Sequence, residues 1–282
     1  MTEATNARNI SLADFTGTLV LVGAGKMGGA MLEGWCALGL DPRQVVVLDP
    51  QPGASVSALA KRGVRLNPEK QTVPDASVIV LAVKPQVAGD VVPGVSALVT
   101  PSTVVLSIMA GKTLKSIEQA LPGGTAVIRT MPNTPAAIGR GMTVGVPNAR
   151  VTPKQQELVH RLMAATGEVE WVADEGLLDA VTAVSGSGPA YVFLLAEYLA
   201  QAGAKAGLPR DLAERLARAT VSGAGELMHR TTIEAAILRK NVTSPGGTTA
   251  AALDVLMGEG GLDPLMERAV AAATRRSREL AG

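Results

Sequence analysis

The stretch Thr18-Leu-Val-Leu-Val22-Gly23-Ala-Gly-Lys-Met-Gly28 decides the fold. Its first five residues read as a buried strand, and the strand runs straight into G-x-G-x-x-G. An apolar helical pattern follows over 29–38 and ends near Gly39. Strand, glycine fingerprint and helix in that order form the phosphate-binding turn of a dinucleotide fold. Glycines allow the tight turn and the close approach of a ligand, and the first helical amides face an anion. A second strand over 44–48 ends in Asp49, about 20 residues beyond Gly28, where such a unit places its ribose-binding carboxylate. A carboxylate there accepts hydrogen bonds from the ribose hydroxyls of NAD and repels the 2′-phosphate of NADP. The next residues, Pro50-Gln-Pro-Gly53, supply no arginine to clamp that phosphate. Asp49 therefore leans the expectation towards NADH.

Outward from this unit, the first half keeps alternating strand and helix. Residues 1–16 read as a loosely ordered lead-in. A helix over 55–62 and an edge strand over 64–66 precede a continuous apolar run over 77–83, as expected of a strand buried on both faces. Similar runs over 103–108 and 125–128 follow. Their ends deliver Lys84, Ala110-Gly111 and Asn133 to one rim, the side on which open α/β sheets bind ligands. Weak strands over 142–146 and 168–172 flank a helix over 154–165. On that helix, His160 reads as a surface or interface residue.

From Asp174 onward the strand signal stops. Helical periodicity covers 177–184 and 190–206, broken by Ser185-Gly-Ser-Gly-Pro189, then 210–229, 233–240, 249–257 and 264–280. The expected domains are therefore 1–173, a Rossmann dinucleotide-binding domain, and 174–282, an all-helical domain. Within the latter, Asn241-Val-Thr-Ser-Pro-Gly-Gly-Thr-Thr249 reads as a loop opening a helix. Pro245 excludes a continuing helix, Gly246 and Gly247 admit a ligand to the backbone, and the hydroxyls of Thr248 and Thr249 suit capping. The stretch can hold a small carboxylate and set a hydroxyl beside it. His229 near a helix C-terminus suits the dipole, and the run Arg275-Arg-Ser-Arg-Glu279 reads as a solvated face.

Composition bounds the function classes. The 282 residues carry a formal net charge of +1, which argues against nucleic acid as the main partner. The single cysteine, Cys36, excludes an internal disulfide and reads as packing. No apolar run is read as a membrane span, because Glu197 interrupts the best candidate, and the start lacks a signal-peptide core. A cytoplasmic protein with a small-molecule substrate, no membrane partner and no metal site is the expectation. The helical half has few aromatics, with two Trp, two Tyr and two Phe in the whole chain, and is expected to complete its burial against a second chain.

From Leu19 onward the chain resembles the pyrroline-5-carboxylate reductases, the last enzymes of proline biosynthesis. The resemblance rests on Gly23-Ala-Gly-Lys-Met-Gly28, Ala82-Val-Lys-Pro85, Arg129-Thr-Met-Pro-Asn-Thr-Pro135, Val184-Ser-Gly-Ser-Gly-Pro-Ala-Tyr191 and Ser244-Pro-Gly-Gly-Thr-Thr249. It implies a Rossmann domain, a helical dimerisation domain, an active site between them, and a homodimer that can assemble into a decamer. It also implies reduction of Δ1-pyrroline-5-carboxylate to L-proline with NADH or NADPH. The expected cofactor-binding residues are Gly23, Ala24, Gly25, Lys26, Met27, Gly28, Asp49, Ala82, Val83, Lys84, Pro85, Met109, Ala110, Gly111 and Asn133. Ser244, Gly246, Gly247, Thr248 and Thr249 would hold the substrate, with the Thr249 hydroxyl on the ring nitrogen as the catalytic contact. Many relatives carry Ser or Thr at the position of Asp49, consistent with NADPH use there. Two rival readings are a β-hydroxyacid dehydrogenase and a non-catalytic dinucleotide sensor. The first needs a lysine on the helix after the first domain, and 184–199 has none; no basic patch supports the second.

Overall fold

A computed structural model describes residues 10–281. The described residues form two compact units, one of residues 10–186 with 274–281, the other of residues 187–273. In chain order the first contains β1 (Thr18–Val22), α1 (Lys26–Ala37), β2 (Val45–Leu48), α2 (Ala54–Ala60), β3 (Arg65–Leu66), β4 (Ala76–Leu81) and α3 (Ala88–Val95). It continues through β5 (Val104–Ser107), α4 (Leu114–Glu118), β6 (Ala126–Met131), β7 (Gly141–Pro147), α5 (Pro153–Ala164), β8 (Gly167–Trp171) and α6 (Leu177–Val181).

These strands make one eight-stranded sheet in the order β3-β2-β1-β4-β5-β6-β7-β8. The first six in that order, from β3 through β6, run parallel. The seventh, β7, turns antiparallel to β6, and β8 pairs parallel to β7. All five residues of β1 are buried, as a strand covered on both faces requires. Alternation then sorts the side chains. Leu19 and Leu21 pack with Met31, Leu32 and Trp35 of α1 and with Val159 and Leu162 of α5. Val20 and Val22 join Ile79, Val105 and Val127 on the opposite face, under Val92 and Val95 of α3. Trp35 is fully buried, and its indole N–H donates to the Leu162 carbonyl at 2.8 Å.

Several expectations need correction. The described part of the lead-in is ordered: Leu12 and Phe15 are buried in the core, and the Arg161 guanidinium pairs with the Asp14 carboxylate and the Ser11 carbonyl. Residues 1–9 lie outside the described residues. Helix α3 was hidden in the sequence by Pro93, which lies inside it. The strand expected over 125–128 continues to Met131 because Arg129 and Thr130, polar in sequence, are both buried.

The largest difference concerns Ser185-Gly-Ser-Gly-Pro189. It forms no open loop: a π-helical turn over Thr182–Gly186 follows α6, and Ser187 is the N-cap from which α7 (Gly188–Lys205) restarts with Pro189 in its first turn. The resulting run, Leu177–Lys205, is long and apolar enough by length and composition to cross a membrane, contrary to the sequence expectation. Glu197 lies within it without ending it.

The second unit holds α7, α8 (Arg210–His229), α9 (Ala235–Asn241), α10 (Thr248–Leu256) and the start of α11 (Leu262–Ala281). Its buried apolar residues among those described are Ala213 and Ala217, while Phe193 is 70% and Tyr198 57% exposed. The end of α11 belongs to the first unit. There Ser277 is buried and donates to Asp179 at 2.7 Å, with Arg278 3.7 Å from the same carboxylate, so the charge run is not wholly a solvated face.

Trp35→Phe is expected to lower the unfolding free energy by about 1–3 kcal/mol, since the Leu162 carbonyl loses its donor in a dry setting. Trp35→Ala should cost about 3–5 kcal/mol through the cavity. Urea denaturation with unchanged slope would measure both.

Candidate active site

The three fingerprint glycines each do something different. Gly23 has φ of +90°, and a Cβ there would stand 2.7 Å from the Ala82 carbonyl oxygen. A Cβ on Gly28 would overlap the Gly23 carbonyl, so this glycine lets α1 lie against the turn. A Cβ on Gly25 would meet nothing within 4 Å. Its missing side chain therefore serves no packing need and leaves the backbone open on the outer side. Gly25 is also the N-cap of α1, without a side-chain cap bond and with no acid in the first turn. The amides of Lys26, Met27 and Gly28 open the helix there, and the dipole favours an anion.

This cradle sits where the strand order reverses. The Gly23 amide donates to Leu48 of β2 at 2.9 Å, and the Ala82 amide donates to Val22 of β1 at 2.8 Å. The crevice therefore opens between β1, β2 and β4 at their carboxyl ends, the switch point at which doubly wound sheets bind ligands. Asp49 stands beside it. Its Oδ2 accepts from the Ala24 amide at 2.6 Å and its Oδ1 from Gln51 at 2.7 Å. A carboxylate anchored through both oxygens has a fixed direction, at the edge where a ribose would lie. These features fit a nicotinamide dinucleotide.

The neighbouring strand ends β4, β5 and β6 continue the rim. Lys84 is exposed and precedes a 3-10 turn, Pro85–Val87, with Ala82 and Val83 half-buried before it. Met109 is 2% exposed and packs in the core, so it can offer a ligand only its backbone. Ala110 is exposed, and Gly111 has φ of +70° with the Leu280 carbonyl against it. Asn133 spends its amide on the protein: Oδ1 accepts from Met142 at 2.9 Å and Nδ2 donates to Ser185 at 3.1 Å. The residue thus ties the turn after β6 to β7 and to the π turn.

Two features escaped the sequence. Arg129, 5% exposed, donates to Glu175 at 2.6 Å, and the same carboxylate oxygen accepts from the Leu114 amide at 2.8 Å. That bracket joins β6, α4 and the approach to α6. The other is Asn67, which hydrogen-bonds both backbone groups of Asp49. Neither partner lies near in sequence, so no local pattern signals them. Of the residues set aside as non-catalytic, Cys36 is half-buried against the core and burial pushes its thiol up, which suits packing. His160 Nδ1 accepts from the Trp171 indole at 3.3 Å, a contact between α5 and β8.

In the second unit, Ser244-Pro-Gly-Gly247 closes a type II turn. Pro245 takes the second position, Gly246 has φ of +69°, and the Gly247 amide donates to Ser244 at 3.0 Å. The turn feeds α10, whose N-cap is Gly247 without a side-chain cap bond. Thr248 and Thr249 are thus not caps, as expected from sequence, but the first two helical residues. Thr248 is exposed and Thr249 half-buried. An uncapped helix start with two hydroxyls suits a small carboxylate beside a polar atom.

Comparison with known proteins agrees with both halves. Residues 175–280 match the family model for pyrroline-5-carboxylate reductase dimerisation, and residues 18–111 match that for NADP oxidoreductase, coenzyme F420-dependent. A pyrroline-5-carboxylate reductase of Pseudomonas aeruginosa is 40% identical over 269 residues, 94% of this chain and 97% of that protein. The chain belongs to the pyrroline-5-carboxylate reductase family. The Synechocystis member is 43% identical over 93% of this chain and 97% of its own. Among solved structures, the family member from Coxiella burnetii aligns with a TM-score of 0.87 at 35% identity, covering 95% of this chain and all of that one. The Plasmodium falciparum reductase, solved with NADP bound, aligns at 0.79 and 27% identity, covering 95% and 99%. The apolar helical run Leu177–Lys205 lies wholly inside the segment matching the dimerisation model.

The glycines give a paired test. Gly25→Ala should leave the melting temperature unchanged and weaken dinucleotide binding at least about tenfold, because only the ligand's space is filled. Gly28→Ala should lower the melting temperature and binding together. Thermal denaturation alongside titration of reduced-cofactor fluorescence separates the two.

Proposed function

We propose that this chain reduces Δ1-pyrroline-5-carboxylate to L-proline, with NADH as the preferred reductant. The observation that carries the reading is the Ser244-to-Thr249 turn opening an uncapped helix, in a family chain that also has the glycine cradle. The cofactor is held by the 23–28 turn, Asp49, the 82–85 and 109–111 segments and the neighbourhood of Asn133. The substrate carboxylate is held by the amides around Gly246, Gly247 and Thr248 and by Ser244.

The reduced nicotinamide supplies the hydride that the C=N carbon receives. The chain's own residues do the rest. The amides of the turn fix the carboxylate, and with it the orientation of the ring. The Thr249 hydroxyl hydrogen-bonds the ring nitrogen and keeps it where it takes up a proton as the C=N bond becomes single. Thr249 orients the ring and has no basic neighbour in sequence, so water is the proton source in this reading. Asp49 supports NADH: its fixed carboxylate accepts from ribose hydroxyls and repels a 2′-phosphate.

The same reading divides the chain into a dinucleotide-binding domain, 1–173, and a dimerisation and substrate domain, 174–282. A second copy covers the apolar face of α7, supported by a unit whose buried apolar residues, among those described, are two alanines and by the dimerisation match over that segment. Such dimers can assemble further, up to a decamer. The reading includes a cytoplasmic location, in keeping with a free cysteine that packs rather than crosslinks.

Initial rates with the cyclic imine, run side by side with NADH and NADPH, test the proposal. NADH-favoured turnover is expected; a preference for NADPH would overturn the Asp49 argument alone, and no turnover with either would overturn the whole. Thr249→Ala should lower kcat/KM by roughly ten- to a thousandfold, about 1.4–4 kcal/mol, with cofactor affinity nearly unchanged. Light scattering should find no stable monomer at micromolar concentration.

A further inference from the structure

Strand β3 is two residues long, Arg65 and Leu66, paired with Val46 and Val47 of β2. The Asn67 amide adds one more bond, to the Val47 carbonyl at 2.8 Å, and Pro68 follows. Asn67 has φ of +46°, and among the described residues it is the non-glycine residue at positive φ. This backbone turns the main chain away from β2 just where Asp49 would need its next partner. The Asn67 side chain takes that place. Its Oδ1 accepts from the Asp49 amide at 2.9 Å, and its Nδ2 donates to the Asp49 carbonyl at 2.7 Å. A carboxamide has the donor and acceptor of a peptide group, so it extends the sheet ladder by one residue without a strand. Asparagine is among the few non-glycine residues that tolerate this φ.

The clamp holds the backbone from which the Asp49 carboxylate springs. With that backbone fixed, the carboxylate reaches the Ala24 amide in the phosphate cradle and the Gln51 amide. Asn67 itself is exposed and lies outside the core, so its bonds act on local geometry rather than on the packing of the fold. We propose that Asn67 is a positioning residue for cofactor choice: its carboxamide clamps Asp49 and aims the carboxylate that favours NADH. The inference rests on the Asp49 reading above.

The test is steady-state kinetics with both cofactors on the full-length enzyme, comparing wild type, Asn67→Gly, Asn67→Asp, Asp49→Ser and the double variant Asp49→Ser/Asn67→Gly. Glycine keeps the left-handed backbone and removes only the clamp. Asn67→Gly is expected to raise the KM for NADH about three- to tenfold, as the loss of one or two exposed hydrogen bonds implies, with little change in kcat. The NADH-to-NADPH ratio of kcat/KM should fall by a similar factor, and the KM for the imine should not move. Asn67→Asp keeps the acceptor for the Asp49 amide but sets a second carboxylate oxygen against the Asp49 carbonyl, so it should raise the KM for NADH at least as much as Asn67→Gly. In the Asp49→Ser background, Asn67→Gly should have no further effect on the ratio.

An unchanged ratio in Asn67→Gly, while Asp49→Ser shifts it, would overturn the positioning role and leave the Asp49 reading standing. An unchanged ratio in Asp49→Ser would remove both. Additive effects in the double variant would mean that Asn67 meets the cofactor directly, and equal loss with both cofactors at a lowered melting temperature would mean a purely structural role. Either result overturns the proposal.

Discussion

The first unit depends on how closely α1 can lie against β1 and β4. Gly23 and Gly28 set that distance, since a Cβ on Gly23 would run into the Ala82 carbonyl just past β4 and one on Gly28 into the Gly23 carbonyl of the turn. Close seating buries Trp35, Leu32 and Met31 against Leu19 and Leu21, and it brings the uncapped start of α1 to the mouth of the crevice. The residues that make the core and those that form the uncapped helix start are therefore parts of one short segment. The sheet reads out the same constraint: β1 is central because it alone is paired with β2 on one side and β4 on the other, so the order reverses at its end.

Much of this was legible. A parallel sheet buried on both faces leaves uninterrupted apolar runs, and β1, β2, β4 and β5 each stand within two residues of their expected limits. The cradle was legible because glycine has few reasons to recur at such spacing. What the sequence concealed depended on partners distant along the chain. Arg129 looks like the polar end of β6 until Glu175 arrives from 46 residues away. Asn67 looks like an ordinary turn residue until Asp49, 18 residues earlier, is found between its two polar atoms. Ser185-Gly-Ser-Gly-Pro189 looks like a break because glycine and proline usually end helices, yet one widened turn accommodates them, and Pro189 falls where a helix start has no amide to lose.

The site residues divide in the same way. Backbone-defined features, the 23–28 turn and the Ser244-to-Gly247 turn, follow from glycine and proline chemistry and appear where expected. Side-chain roles were less readable. Asn133 was expected to face a cofactor and is occupied in bridging β7 and the π turn, while Thr248 and Thr249 start α10 rather than cap it.

The near-absence of a private core in the second unit has a thermodynamic consequence. Where two small alanines are the buried apolar residues among those described and Phe193 and Tyr198 stand open, burial inside the unit supplies little of the free energy that keeps these helices together, and in the proposed dimer association would supply the rest. Stability then obeys mass action: the unfolding equilibrium contains a concentration, and each tenfold dilution removes about 1.4 kcal/mol of apparent stability per association step. For such a chain a melting temperature is a property of the sample as much as of the sequence. The cell's level of expression becomes part of what holds the molecule in shape.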